Sequence, residues 1–283
     1  MRDLFFAAPL SARGNYGILL RDFAVRYGRG RALDYNELLH VSADVGSELL
    51  ESGAETYRVE ESVYRLVRAY GAREANVFAV PTCIIVSITL GDGSTVSKTR
   101  RIYARGTNLD RIDLLNALCR RICRGEVPLE EAYGELEAIR RLGGSPPARR
   151  CAGYVLIAFA FALFFGGTLA DAGCAAVIGL AVFFVVFALE RWKANAVFVN
   201  IIASGVTMML AVAAVGLGLG RNIDKMVIGV LMNLVPGVAI TNAMRDIMAG
   251  DYLAGQARLT EALLTAAAMA LGAGAALTVA RML

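Results

Sequence analysis

After Arg150 the chain carries five long runs without a charged residue, 152–170, 172–189, 194–220, 226–244 and 262–280, of 19, 18, 27, 19 and 19 residues. The hydrocarbon core of a bilayer takes about 20 consecutive apolar helical residues to cross, because a backbone without water must satisfy its polar groups inside its own helix. The five runs therefore predict five transmembrane helices with little chain between them. Charge divides the same way: of 29 Lys+Arg and 25 Asp+Glu, 22 and 19 lie in the first 150 residues, leaving 7 and 6 for the rest. A purely soluble enzyme, a secreted disulfide scaffold and a disordered chain are excluded. The expected fold is an α+β cytoplasmic N-terminal domain followed by an α-helical membrane domain of five transmembrane helices.

The expected divisions are an N-terminal extension over 1–35, the α+β domain over 36–142, a Gly/Ser/Pro linker over 143–150, and the membrane domain over 151–283. Leu4 to Ala8 is too short an apolar run for a signal-peptide core, so no cleaved signal is predicted. In the α+β domain, apolar spacing predicts helix over 36–70, interrupted at Gly53. Val77 to Leu90 reads as one β-branched strand, and Gly91-Asp92-Gly93 as a hairpin turn into a polar strand around 94–104. Helices are expected over 110–124 and 128–141.

Orientation follows from the cations near the span ends. With the front domain cytoplasmic, Arg149, Arg150, Arg191, Lys193, Arg245 and Arg258 lie inside, and Arg221, Lys225 and Arg281 outside. The expected location is a bacterial-type inner membrane, with the C-terminus outside. The net charge of +4 is interspersed with acidic residues, so no nucleic-acid partner is expected. Five cysteines form no C-x-x-C pair, and His40 is the sole histidine, so reduced thiols and no metal or other cofactor are expected. No phosphate loop or nucleophile elbow is present, and no enzymatic activity is expected.

Polar residues inside the spans carry the functional signal. Asn200, Ser204 and Thr207 share one helix face of the third span, which reads either as interhelical glue or as a polar path. The fourth span holds Asn233 and Pro236-Gly237, which predict a kink or an unwound segment, the device that supplies free backbone groups in transporters. Asn242, Arg245 and Asp246 then fall on one helix face, and Arg258 and Glu261 are spaced to pair. Glu48, Glu55, Arg58, Glu60 and Glu61 make a charged helix face in the front domain, which reads as solvated surface. Glycines such as Gly216, Gly218, Gly220, Gly272 and Gly274 permit close helix approach, so a homo-oligomer is an open expectation.

Pro236-Gly237, Thr241-Asn242, Arg245-Asp246, Gly250-Asp251, Gly255, Arg258 and Glu261-Ala262 resemble the signature of the threonine/serine exporter family, and Gly53-Ala-Glu55-Thr-Tyr-Arg58 resembles its N-terminal domain. The resemblance runs from about Glu37 to the end. It implies a secondary exporter of a small hydrophilic carboxylate, such as threonine, serine or the dicarboxylate succinate, driven by the proton gradient. It also implies a split arrangement, in which a subunit with a soluble domain works beside a second, small five-span subunit. In that reading Asn200, Asn233, Pro236, Gly237, Asn242, Arg245, Asp246, Asp251, Arg258 and Glu261 form the substrate path. Arg245 or Arg258 attracts the carboxylate, and Asp246, Asp251 or Asp171 carries the proton. Glu55 and Arg58 gate the cytoplasmic mouth or touch a partner. The competing reading is a membrane-anchored cytoplasmic ligand-binding or sensor module, and a passive channel is a third.

Overall fold

The computed structural model describes residues 34–72, 74–142 and 144–282. The expectations for Leu4 to Ala8 and for most of the N-terminal extension lie outside them. By contact the chain forms two compact units: the residues up to Gly143 together with Thr241–Arg258, and Gly144–Ile240 together with Leu259–Leu283.

The first unit is a helix-and-sheet layer pair. Helix α1 (Tyr35–Glu51) starts at Asp34, whose carboxylate accepts the N–H of Asn36 at 2.9 Å and of Glu37 at 3.2 Å. It ends before Gly53, whose φ of +88° suits glycine, and α2 (Thr56–Ala69) follows at once. A Cβ on Gly53 would also sit 2.6 Å from the carbonyl oxygen of Gly106. The interruption expected at Gly53 is thus a turn fixed by both backbone and packing.

Strands β1 (Glu74–Val80), β2 (Cys83–Thr89) and β3 (Thr95–Arg101) pair antiparallel in sequence order, with Val77 opposite Val86 and Ser87 opposite Ser97. The single strand expected over Val77 to Leu90 is two, because Pro81 and Thr82 turn the chain inside that β-branched run. Ile84, Val86 and Ile88 of β2 alternate into the core against α1 and α2. Gly46 lets α1 approach the sheet, since a Cβ there would lie 2.3 Å from Cδ1 of Ile84. Helices α3 (Leu109–Cys123) and α4 (Leu129–Arg141) complete the core through Leu115, Leu118, Ile122 and Leu136.

The second unit holds α5 (Pro147–Phe164), α6 (Leu169–Arg191), α7 (Ala196–Gly216), α8 (Ile223–Leu231), the start of α9 (Gly237–Ala249) and most of α10 (Tyr252–Met282). The expected linker is shorter than 143–150, because helix begins at Pro147, a residue whose fixed φ suits a first turn. Four described helices, α5, α6, α7 and α10, are long and apolar enough to cross a membrane. The expected fourth span, 226–244, is not one helix. It is α8 and α9 of 9 and 13 residues, separated at 232–236 where Pro236 cannot donate to a helical ladder.

Small residues set the packing of this unit. A Cβ on Gly229 of α8 would lie 2.7 Å from the Ala158 carbonyl oxygen, and one on Gly179 of α6 would lie 2.9 Å from Cβ of the same alanine. A Cβ on Gly272 of α10 would lie 2.1 Å from the Ile201 carbonyl oxygen and 2.2 Å from Ser204 Oγ. Backbones therefore approach to contact along α5–α6, α5–α8 and α7–α10, the arrangement that favours association among lipid-like surfaces. Leu156, Phe184 and Leu271 point outward from these helices, as an apolar solvent requires.

Candidate functional site

Within the first unit, the four residues Gly53–Thr56 are each gripped by a side chain from 242–258. Asn242 donates its amide to the Gly53 carbonyl at 2.9 Å. Arg258 donates through Nη2 to the Ala54 carbonyl at 2.6 Å. Arg245 hydrogen-bonds and ion-pairs with Oε1 of Glu55. Asp246 accepts the backbone N–H of Thr56 at 3.0 Å and its hydroxyl at 3.1 Å. The spacing i, i+3, i+4 that puts Asn242, Arg245 and Asp246 on one face of α9 is what lets them address Gly53, Glu55 and Thr56 of one turn.

The network has a buried centre and an accessible edge. Asp246 is fully buried at the N-terminus of α2, where a carboxylate meets an otherwise unpartnered backbone N–H and the positive end of the helix dipole. Arg258 Nε lies 3.1 Å from its Oδ2, and the Arg258 side chain is only 10% exposed. Glu55 is also buried, while its cation Arg245 is 56% exposed. Arg58, one turn along α2, places Nε 2.8 Å from Oε2 of Glu55, and Tyr57 accepts from the same nitrogen at 3.2 Å. Glu60 accepts the N–H of Ala79 at 2.7 Å and lies close enough to Asp251 and Asp246 to feel both charges.

These surroundings move the carboxyl groups in opposite directions. Burial pushes Asp246 up, and this outweighs the opposing pull of Arg258 and of the Thr56 donors. Burial likewise raises Glu60, against the Ala79 hydrogen bond and helped by Asp251 and Asp246. Burial also works to raise Glu55, but the hydrogen bonds from Arg245 and Tyr57 and the charges of Arg58 and Arg245 win, and its carboxyl is held low.

The sequence residues thus separate. Glu55, Arg58, Asn242, Arg245, Asp246 and Arg258 come together in this one network. Asp251 adjoins it, its N–H donating to the Asp246 carbonyl at 2.9 Å, after Gly250 at a φ of +96°. Glu261 is exposed on α10 and groups with the second unit. Asn200, Asn233, Pro236 and Gly237 also belong to the second unit. Asn233 donates to the Val230 carbonyl at 3.1 Å and to the Tyr154 carbonyl at 3.3 Å, tying the break after α8 to α5. Asn200, Ser204 and Thr207 each bond back to the carbonyl four residues earlier, at 2.9, 2.7 and 2.7 Å. That pattern satisfies each polar group within its own helix.

Asp171 is the third residue of α6, in a capping box with Thr168. Its carboxylate accepts from Thr168 N and Oγ1, Arg221 N, Asn222 N and Asn222 Nδ2 at 2.6–3.0 Å. Five donors make it an anchor joining the α6 N-terminus to the segment before α8. The solvated face expected in the front domain is also incomplete, because Glu48 and Glu55 are buried.

Thr56 is a site residue that the sequence does not single out, although it stands inside the Gly53–Arg58 stretch. Its role depends on a backbone N–H at a helix start, which no side-chain pattern displays. Among the described residues no group of three or more His, Cys, Asp and Glu is placed to hold a metal. The five cysteines are unbridged.

The family model described as "Putative threonine/serine exporter" matches residues 40–280. A curated relative, the "Probable threonine/serine exporter" of Mycobacterium tuberculosis (strain ATCC 25618 / H37Rv), is 26% identical over 242 residues, covering 85% of this chain and 46% of the relative. The chain therefore spans about half the length of the relative that it matches. No solved structure matches it.

Proposed function

This chain belongs to the threonine/serine exporter family, and on that premise we propose that it is a subunit of a proton-coupled secondary exporter of small hydrophilic carboxylates. Family membership and the four apolar helices support a multi-pass membrane exporter. The finer reading takes threonine and serine as the first substrates and succinate as the dicarboxylate variant. It places the first unit on the cytoplasmic side of a bacterial inner membrane and the C-terminus outside. A second five-span subunit completes the path.

The observation that carries this reading is the grip of 242–258 on Gly53–Thr56. Residues that the resemblance singled out in two distant stretches of sequence meet in one charged network. Of its three arginines, the two supplied by 242–258 are not equivalent. Arg258 is buried against Asp246, whereas Arg245 is largely exposed and ion-pairs with Glu55. A substrate carboxylate arriving from water reaches Arg245, and it competes there with Glu55 for a charge-assisted bond. Releasing Glu55 loosens the turn that Asn242, Asp246 and Arg258 also hold. Asp246 and Glu60, both raised by burial, are the groups whose protonation responds to that loosening. The break at Pro236-Gly237 supplies the non-helical backbone that a path through the second unit needs.

The test is efflux from cells loaded with threonine, serine or succinate. It compares this chain alone, the chain with a small five-span subunit, and a Pro236→Ala, Gly237→Leu variant. Saturable, uncoupler-sensitive efflux that needs the second subunit and fails in the variant is expected. Absence of efflux of all three compounds in every combination overturns the proposal.

A further inference from the structure

Away from the Gly53–Thr56 network, the first unit has an open cleft of about 400 Å³ lined by Asp44, Ser47, Glu48 and Glu51 of α1, Arg100 of β3, and Tyr133 and Arg140 of α4. The α1 residues recur at i, i+3, i+4 and i+7, so one helix face forms the floor. That floor is polar where a helix packed between a sheet and a second helix would ordinarily be apolar. Asp44, Ser47 and Glu48 are each more than nine-tenths buried.

Burying carboxylates is costly unless cations are built around them, and here they are. Arg100 Nε lies 2.5 Å from Asp44 Oδ1. Arg140 Nε lies 2.7 Å from Glu48 Oε1, and Arg111 Nη1 lies 3.3 Å from Glu48 Oε2. The cleft itself is lined by three carboxylates and two guanidiniums. Arg111 adds a third guanidinium behind Glu48, but among the described residues Glu51 is the carboxylate left outside these ion pairs: burial and the Glu48 charge raise it, and Arg140, Arg111 and Ser47 do not fully offset them. Nothing in the network between Gly53–Thr56 and 242–258 uses these residues.

We propose that this cleft binds a small α-amino acid zwitterion, its ammonium against Glu48 and Glu51 and its carboxylate against Arg100, with Tyr133 at the rim. The carboxylate left outside the ion pairs selects a cation, since a primary ammonium brings three donors to a site rich in acceptors. Arg100 engages Asp44 through Nε, and a guanidinium offers two further nitrogens for a second carboxylate. A dicarboxylate meets like charge at Glu51, and a simple amine leaves the arginine side of the cleft unmatched. The site is thus a sensor of amino acid in the first unit, separate from the residues proposed for transport.

The test is amide hydrogen exchange by mass spectrometry on the full chain in detergent micelles, with L-threonine, succinate or ethanolamine at millimolar concentration. L-threonine is expected to slow exchange over 40–52 and 128–141 at least threefold, and the other two compounds to leave it unchanged. Glu51→Gln, isosteric and at a part-buried position, is expected to abolish that slowing without shifting the melting temperature. If it fails to fold, Arg100→Lys, which keeps a cation beside the buried Asp44, is expected to weaken that slowing. Equal protection by succinate, no protection by L-threonine, or protection that survives both substitutions overturns the site. Efflux is a separate readout: a chain that exports threonine without this protection disproves the cleft and leaves the exporter reading standing.

Discussion

The carboxylate of Asp246 accepts both the backbone N–H and the side-chain hydroxyl of Thr56, a residue 190 positions earlier in the chain. It is a helix cap supplied from far away. The start of α2 is therefore held by α9, and the cap is itself held by Arg258. Local capping positions offer no substitute, because the N-cap residue Glu55 makes no side-chain cap bond and turns its carboxylate to Arg245 instead.

Arg258→Gln is expected to destabilise the protein more than Asp246→Asn. Removing the guanidinium leaves a fully buried carboxylate without its cation, a change that costs on the order of 3–5 kcal/mol. Asp246→Asn keeps an acceptor for the Thr56 N–H, leaves Arg258 its bond to the Ala54 carbonyl, and removes a charge that burial already works against. Melting temperatures of the two variants in the same detergent check this, and the reverse order contradicts it.

Stability should respond to pH through two opposed sets of groups. Glu55 is held low in the folded state, so its contribution is present above the ordinary carboxylate range and is lost as pH falls through its folded value. Asp246 and Glu60 are raised, so their contribution is full below the ordinary range and is lost as pH rises through their folded values. Glu55→Gln should therefore flatten the acid limb of a melting-temperature profile. Asp246→Asn and Glu60→Gln should flatten the decline on the other side. A profile unchanged in shape by all three contradicts the assignment.

The parts of the fold set by periodicity and composition were legible in the sequence. Helical spacing around Gly53, the hairpin at Gly91–Gly93 and the apolar runs of α5, α6, α7 and α10 each appear where physical patterning placed them. The turn at Pro81-Thr82 was hidden, because both strands that it joins are β-branched and read as one run. The fourth span showed its breaking residues but not the consequence. An uncharged stretch reports what lipid tolerates, whereas the course of 232–258 is decided by partners far away in sequence. The same applies to the candidate site. Arg245 and Asp246 stood out as charges beside a span, while their partners Glu55 and Thr56 could be matched to them only in three dimensions.

Gly272→Ala is expected to disrupt the second unit, and Gly205→Ala to be tolerated. A Cβ at Gly272 would meet the Ile201 carbonyl and Ser204 Oγ at 2.1 and 2.2 Å, whereas at Gly205 the nearest atom is 3.4 Å away. Overpacking of this kind costs about 1–3 kcal/mol, and more where backbone must move. The yield of monodisperse protein and its melting temperature report the difference. Equal behaviour of the two variants argues against the α7–α10 contact.

Asp171→Asn should lower thermal stability and leave the proton dependence of efflux unaltered. The amide replaces one acceptor oxygen with a donor facing Thr168, Arg221 and Asn222, and hydrogen bonds to a charged group are worth about 1.5–3 kcal/mol each. A stable variant with an altered pH dependence of transport would restore Asp171 as a proton carrier.

The most direct test of the central claim is a charge exchange at Glu55 and Arg245, read as threonine efflux under a proton gradient in the presence of a small five-span subunit. Glu55→Arg and Arg245→Glu alone should each lower efflux at least tenfold, because each sets like charges against one another at the edge of the network. The double exchange should recover folding and the loop contact yet remain defective in transport, since the cation that meets the substrate has moved from its exposed position to a buried one. Wild-type efflux in either single variant, or full recovery in the double variant, would contradict a role for Arg245 in receiving substrate.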